Sequence, residues 1–149
     1  IKNKLKDKGY DYTLANIKKY IHDVVGIRIV VSFLSDVYDI VSVLKNSQDL
    51  IIVKQQDYIK EPKDTGYISY HLNVLIPIYL NNKTEYVEGE IQIRTIAMDF
   101  WASLEHQLRY KQNKDISSRI DIELKACAEV SATLDRRMQK IFDDLNKMD

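Results

Sequence analysis

The chain has 149 residues, 45% of them hydrophobic and 30% charged, which suits a single domain with a buried core. Its 22 Lys and Arg balance its 22 Asp and Glu, so it lacks the basic field of a bulk nucleic-acid binder and must hold any anionic ligand with a few placed side chains. A single cysteine, Cys127, excludes an internal disulfide framework or a CxxC site and fits a reducing cytoplasm, and no apolar run nears the roughly 20 residues of a membrane helix.

Residues 1–8 are Lys-rich, with Ile1 and Leu5 at helical spacing before Gly9, and a second short helix is predicted over 13–20. Because the chain opens inside an amphipathic helix, its natural start is expected upstream. VVGIRIVVSF, 24–33, is β-branched almost throughout and reads as a buried strand. In SDVYDIVSVLKN, Ser35 or Asp36 can cap a helix whose apolar stripe is Val37, Ile40, Val41 and Leu44. Strands are predicted over 50–59 and 71–80, with Pro77 marking an edge or a strand end in the second. Between them lies KEPKDTGYISYH, 60–71, the one segment rich in both turn formers and charge. NNKTE then turns the chain into a strand over 86–94, and a helix follows from 96 to 110. This order predicts an α+β (mixed α/β) domain, a mixed sheet with helices packed on it.

The last predicted helix, 118–148, carries Ile120, Leu124, Cys127, Ser131, Leu134, Met138, Ile141, Leu145 and Met148 in alternating steps of four and three. Such a seam, sustained for about four heptads, suits either a helix lying across its own sheet or an oligomerisation helix. The soft residues Cys127 and Ser131 argue against a strong free-standing coiled coil.

The strand over 86–94 alternates strictly, placing Glu88, Glu90, Gln92 and Arg94 on one face and Gly89, Ile91 and Ile93 on the other. Carboxylates on such a face can ligate a hard cation together with substrate phosphates, although pattern alone also suits a solvated outer face. Asp23, immediately before an apolar strand, could join them at the sheet end. In the 60–71 segment Gly66 permits a sharp turn, Lys63 offers an ammonium, Tyr67 a flat ring and His71 a donor. A ring beside basic groups suits a nucleobase with its phosphates. His22, His71 and His106 show no zinc spacing, and GxxxxGK[ST], GxSxG and GxGxxG motifs are all missing.

Four segments in order, HDVVGIRIV (22–30), KDTGYISYH (63–71), EIQIRT (90–95) and MDFWASLEHQLRYK (98–111), resemble the synthetase domain of RelA/SpoT-type GTP pyrophosphokinases, most of all the small single-domain alarmone synthetases. The resemblance runs from residue 1 to about 111 and leaves 117–149 as a C-terminal helix of a kind that supports homotetramers in small synthetases. It implies a nucleotidyltransferase-like mixed sheet and, with Mg²⁺, transfer of the β,γ-pyrophosphate of ATP to the 3′-OH of GTP or GDP. It puts the metal on Asp23 and Glu90, with Glu90 also placed to assist deprotonation of the 3′-OH. Tyr67 falls on the guanine-stacking position, Lys63 and His71 on GTP-phosphate contacts, and Gln92 on a polar position beside the acceptor. Lys4 matches the last basic residue of the ATP-binding segment, and Arg28 is a second candidate for phosphate.

Three positions depart from the pattern. Ile68 stands where many members have Arg or Gln, Asp64-Thr65 replaces a commoner Pro/Glu-Asn pair, and the family's Arg-x-Lys would precede Ile1. Two other classes of function share the pattern: a guanine-nucleotide-binding regulatory module of the same fold, and a helical-oligomer scaffold. Asp23, Glu90 and Tyr67 favour the synthetase over the scaffold, while turnover separates it from the module.

Overall fold

The computed structural model describes residues 9–11, 25–111 and 118–148. The helices expected over 1–8 and 13–20, together with Lys4 and Asp23, therefore fall outside the described residues. Four strands, β1 (Val25–Val31), β2 (Ile51–Asp57), β3 (Tyr70–Leu80) and β4 (Lys83–Thr95), form one sheet in the order β1-β4-β3-β2. β1 pairs parallel with β4, whereas β4 with β3 and β3 with β2 are antiparallel. Helix α1 (Leu34–Lys45) carries the chain from one sheet edge to the other; α2 (Ile96–Lys111) and α3 (Ser118–Leu145) follow β4.

The period-two alternation of β3 and β4 decides which face is the core. Leu72, Val74, Ile91 and Ile93 are buried against Val37 and Val41 of α1, with Tyr70 at the rim of the cluster. The stripe expected of α1 is thus the face it buries. Its start differs: Phe33 holds the N-cap position, and Ser35 and Asp36 lie within the first turn. Asp36 still supplies the cap in chemical terms, because its Oδ2 accepts the Phe33 N–H at 3.0 Å.

β1 corrects the expectation of a fully buried strand. It is an edge strand among the described residues, with Ile27 42% and Val30 45% exposed. β-branching records a fit to a pleated sheet and not burial on both faces. β4 is longer than expected, reaching back to Lys83, and a two-residue turn, Asn81-Asn82, joins it to β3. Pro77 pairs across from Tyr86 of β4 but lies beyond the last β2 partner, Leu75. At Pro77 β3 is locally an edge, as a residue without an N–H requires.

α3 does not lie across the sheet. It packs on α2, burying Leu124 and Ala128 against Trp101 and Ala102, while Trp101 Nε1 donates to the Leu124 carbonyl at 2.9 Å. Further along, Ser131 Oγ donates to the Ala97 carbonyl at 2.9 Å, Phe142 stacks on Phe33, and Gln139 Oε1 accepts the Ser35 N–H. Thr95 Oγ1 donates to the buried Asp135 carboxylate, tying the end of β4 to α3. The heptad seam is mostly a different stripe: Leu134, Met138, Ile141 and Leu145 are 45–58% exposed, and only Leu124 of that set is buried.

Candidate functional site

Opposite the α1-covered core, the second sheet face is polar. The register aligns Arg28 of β1 with Gln92 of β4, Gln92 with His71 of β3, and His71 with Gln56 of β2, giving one row of four polar side chains across the sheet. In the neighbouring row Glu90 lies between Gly26 and Asn73. Among the described residues, Gly26's chain neighbours aside, no atom stands within 4 Å of where a Gly26 side chain would begin, so the space beside Glu90 is open to them. α2 and the segment after β2 wall this face into a cleft of about 700 Å³ lined by Arg28, Lys63, Tyr67, His71, Glu90, Gln92 and Arg94, among others.

The Lys63–Tyr67 segment is shaped by its backbone. Gly66 N–H closes a turn onto the Lys63 carbonyl at 2.8 Å, and Lys63 N–H returns to the Tyr67 carbonyl at 3.1 Å. Gly66 has φ +87°, a conformation that costs a residue with a Cβ, and it approaches α3 closely. The turn aims Lys63 over the rings of Tyr58 and Tyr67, at 4.6 and 5.0 Å from their centroids. Tyr67 is not the free loop ring that its sequence context suggests. It is partly buried, packed on the Trp101–Ala128 cluster, and its hydroxyl lies 2.8 Å from both His71 Nε2 and Arg94 Nη2.

Donor and acceptor chemistry fixes the proton positions in this network. Arg94 can only donate, so the Tyr67 oxygen accepts from it; the Glu90 carboxylate can only accept, so a neutral His71 carries its hydrogen on Nδ1, facing Glu90 Oε2 at 3.6 Å, and its Nε2 accepts the Tyr67 hydroxyl proton. Likewise Gln92 accepts from Arg94 at 2.7 Å through Oε1 and donates through Nε2 to Glu90 Oε1 at 2.5 Å. Burial pushes the His71 imidazole below its ordinary pKa; Lys63 and Arg94 push the same way, and Glu90 opposes them. His71 is therefore neutral near pH 7, the state that this arrangement requires.

Asp99, in the first turn of α2, accepts from Arg94 Nη1 at 3.1 Å and pairs with Arg28 at 3.2 Å. Of the residues expected in the site, Glu90, Gln92, Lys63, Tyr67, His71 and Arg28 converge on the cleft. Glu88, on the same strand face, lies outside the cleft lining. Tyr58, Asp99 and the role of Arg94 were not anticipated. The alternation pattern put Arg94 on the polar face, but nothing local signals that it joins Asp99, Tyr67 and Gln92.

A magnesium ion typically takes one or two carboxylates and completes its shell with phosphates and water. Glu90, 25% exposed beside the gap at Gly26, fits that use. Among the described residues no three His, Cys, Asp or Glu gather into a metal cage.

Residues 1–115 match the sequence family described as a region found in RelA / SpoT proteins. The chain belongs to the RelA/SpoT family. It is similar to the GTP pyrophosphokinase YwaC of Bacillus subtilis (strain 168), 53% identical over 146 residues, which are 98% of this chain and 70% of that protein. Among solved structures it resembles small alarmone synthetase 2 from Bacillus subtilis, with a TM-score of 0.85 and 51% identity over 95% of this chain and 73% of the other. Small alarmone synthetase 1 from the same organism, bound to its product pppGpp, superimposes with a TM-score of 0.83 at 37% identity, over 95% of this chain and 72% of the other. The mixed sheet, the flanking helices and the long C-terminal helix of this RelA/SpoT chain are thus the fold of small alarmone synthetases.

Proposed function

We propose that the chain is a (p)ppGpp synthetase, a GTP pyrophosphokinase that moves the β,γ-pyrophosphate of ATP to the 3′-OH of GTP or GDP. The observation that carries this reading is the convergence of Lys63, Tyr67, His71, Glu90 and Gln92 on one cleft, in a chain 53% identical to a GTP pyrophosphokinase. In the reaction the 3′-oxygen forms a bond to the β-phosphorus of ATP, the bond from that phosphorus to the α-phosphate oxygen breaks, and AMP leaves. Glu90 is assigned to accept the 3′-OH proton. Its side chain is held by Gln92 and faced by His71, so the base is oriented before substrate arrives.

Tyr67 presents the guanine-stacking ring, with Lys63 above it as the phosphate-seeking ammonium and His71 and Gln92 beside the acceptor ribose and phosphates. Arg28, with its side chain 51% exposed at the cleft's opposite wall, is assigned to ATP phosphate together with Lys4. Glu90, with Asp23, would hold Mg²⁺, which neutralises charge on the transferring phosphates. Asp23 and Lys4 enter on sequence position alone.

The reading extends to self-association through α3. Its support is the exposed row Leu134, Met138, Ile141 and Leu145, beside an apolar groove of about 940 Å³ shared with Ile96 and Phe100 of α2. The cytoplasm is taken as the enzyme's compartment. Among the described residues no helix is long and apolar enough to cross a membrane.

The test is to incubate the protein with ATP, GTP and Mg²⁺ and resolve nucleotides by anion exchange. Equimolar pppGpp and AMP are expected. Binding of GTP with no new product would replace the synthetase by a regulatory module of the same fold.

A further inference from the structure

Arg94 is 5% exposed and borders the cleft from the polar sheet face, where it holds Gln92 and Tyr67. Its Nη2 donates to two acceptors at once, Gln92 Oε1 at 2.7 Å and Tyr67 oxygen at 2.8 Å. From Gln92 the path continues through Nε2 to Glu90 Oε1, and from Tyr67 it continues through His71 toward Glu90 Oε2. The two paths leave one nitrogen and end on the two oxygens of one carboxylate. Every donor in them faces an acceptor, and reversing the Gln92 amide would set oxygen against the Glu90 carboxylate and NH₂ against Arg94.

We propose that Arg94 is a positioning residue that fixes the rotamer of the Glu90 carboxylate through two paths, a hydrogen-bonded one by Gln92 and one by Tyr67 and His71 that ends 3.6 Å from the carboxylate. The assignment rests on the reading of Glu90 as the group that meets the acceptor hydroxyl. The third contact of the guanidinium belongs to the same device. Nη1 reaches Asp99, which also pairs with Arg28, so the fork is anchored to α2 and to the wall assigned to ATP. Only a planar fork serves Asp99, Gln92 and Tyr67 from fixed directions; a lysine ammonium is a single point. Among the described residues Arg94 Nε is the one buried side-chain nitrogen or oxygen without a hydrogen-bond partner. A desolvated cation kept at that cost, when Asp99 already has Arg28, points to a use beyond tying β4 to α2.

The experiment compares Arg94→Met, Arg94→Lys and Tyr67→Phe with wild type in steady-state synthesis and in ¹⁵N–¹H spectra of the nucleotide-free protein. The Gln92 side-chain amide proton, donated to Glu90, should resonate downfield in wild type and is identified by its loss in Gln92→Leu. Arg94→Met should move it to the position of a free amide and lower kcat by about thirtyfold or more, with KM for GTP within about threefold. Arg94→Lys, with the charge but not the fork, should stay within about threefold of Arg94→Met. Tyr67→Phe keeps the stacking ring and removes one path only, so kcat should fall by about three- to tenfold at unchanged KM.

A guanidinium that merely clamped β4 to α2 would lower thermal stability and leave kcat intact below the transition. That outcome, or full activity in Arg94→Lys, overturns the proposal. If the Met variant does not fold, Arg94→Lys and Tyr67→Phe both at wild-type kcat overturn it equally. If wild type makes no alarmone, the synthetase reading fails, while the Gln92 resonance still reports whether Arg94 holds the Glu90 network.

Discussion

Replacing Gly66 by alanine separates the two demands made on the nucleotide loop. The first is conformational: φ +87° is reached readily by glycine and costs an L-residue about 1–2 kcal/mol. The second is steric: a methyl group at Gly66 would stand 2.8 Å from Ala128 Cβ, on a helix residue only 3% exposed. Overpacking of this kind typically costs about 1–3 kcal/mol. Together they predict a loss of about 2–5 kcal/mol, which at a urea slope near 2 kcal/mol/M moves the unfolding midpoint by about 1–2.5 M. The chain can relieve the contact only by lifting the Lys63–Tyr67 turn off α3. The Tyr67 ring moves with it, so GTP affinity measured calorimetrically should fall about tenfold. Ala128→Gly removes the clashing atom and leaves the backbone conformation as it was. In the double variant the steric share, about 1–3 kcal/mol, should therefore return, and the φ share should not. An alanine at position 66 that leaves the urea midpoint unchanged would refute this reasoning. So would a loss that Ala128→Gly does nothing to relieve.

Tyr67→Ala should cost about 2–3 kcal/mol in thermal unfolding as well as weakening GTP, because the ring is half-packed on Trp101 and Ala128 and its hydroxyl serves Arg94; an unchanged Tm would show the ring to be free of the fold. Burial raises the Asp135 carboxyl above its ordinary pKa, partly offset by the Thr95 hydrogen bond and Arg136. The folded state then binds this proton more readily than the unfolded one, so Asp135 disfavours folding increasingly as pH rises from its unfolded pKa through its folded pKa. Asp135→Asn should gain stability over wild type across that window in urea titrations at a series of pH values, and a difference that is flat with pH would contradict it. Ile141→Asp, on the 53%-exposed seam of α3, should shift the mass seen by light scattering toward the monomer without lowering the melting temperature, whereas an unchanged mass would remove α3 from the interface.

Local periodicity made much of this molecule legible in its sequence. Strict alternation put Glu90, Gln92 and Arg94 on one face of β4, and the structure keeps them there above a buried Ile91 and Ile93. The four ordered motifs pointed to the RelA/SpoT family, and the cleft unites the described residues they singled out. What failed was non-local. The apolar count of β1 could not reveal that it lies at a sheet edge, because burial depends on neighbours far along the chain. On α3 the seam residues Leu124 and Ser131 do reach α2, but the larger ones that follow stay exposed, while Ala128 and Asp135, outside the seam, make further contacts within the chain. Tyr67 looked like a loop ring because the helix beneath it arrives about sixty residues later in sequence. Arg94 and Asp99 lie on consecutive elements, yet their joint hold on Arg28, Tyr67 and Gln92 follows only from sheet register.

The central claim is that the polar face of β4 is the floor of the reaction centre, with Glu90 at its focus. Glu90→Gln preserves the side chain's size and removes its charge. AMP release from ATP in the presence of GTP and Mg²⁺, followed alongside GTP binding, tests the claim most directly. Turnover should fall by at least about a hundredfold, while the GTP dissociation constant stays within about threefold. A Glu90→Gln protein that synthesises alarmone at near the wild-type rate would contradict the account.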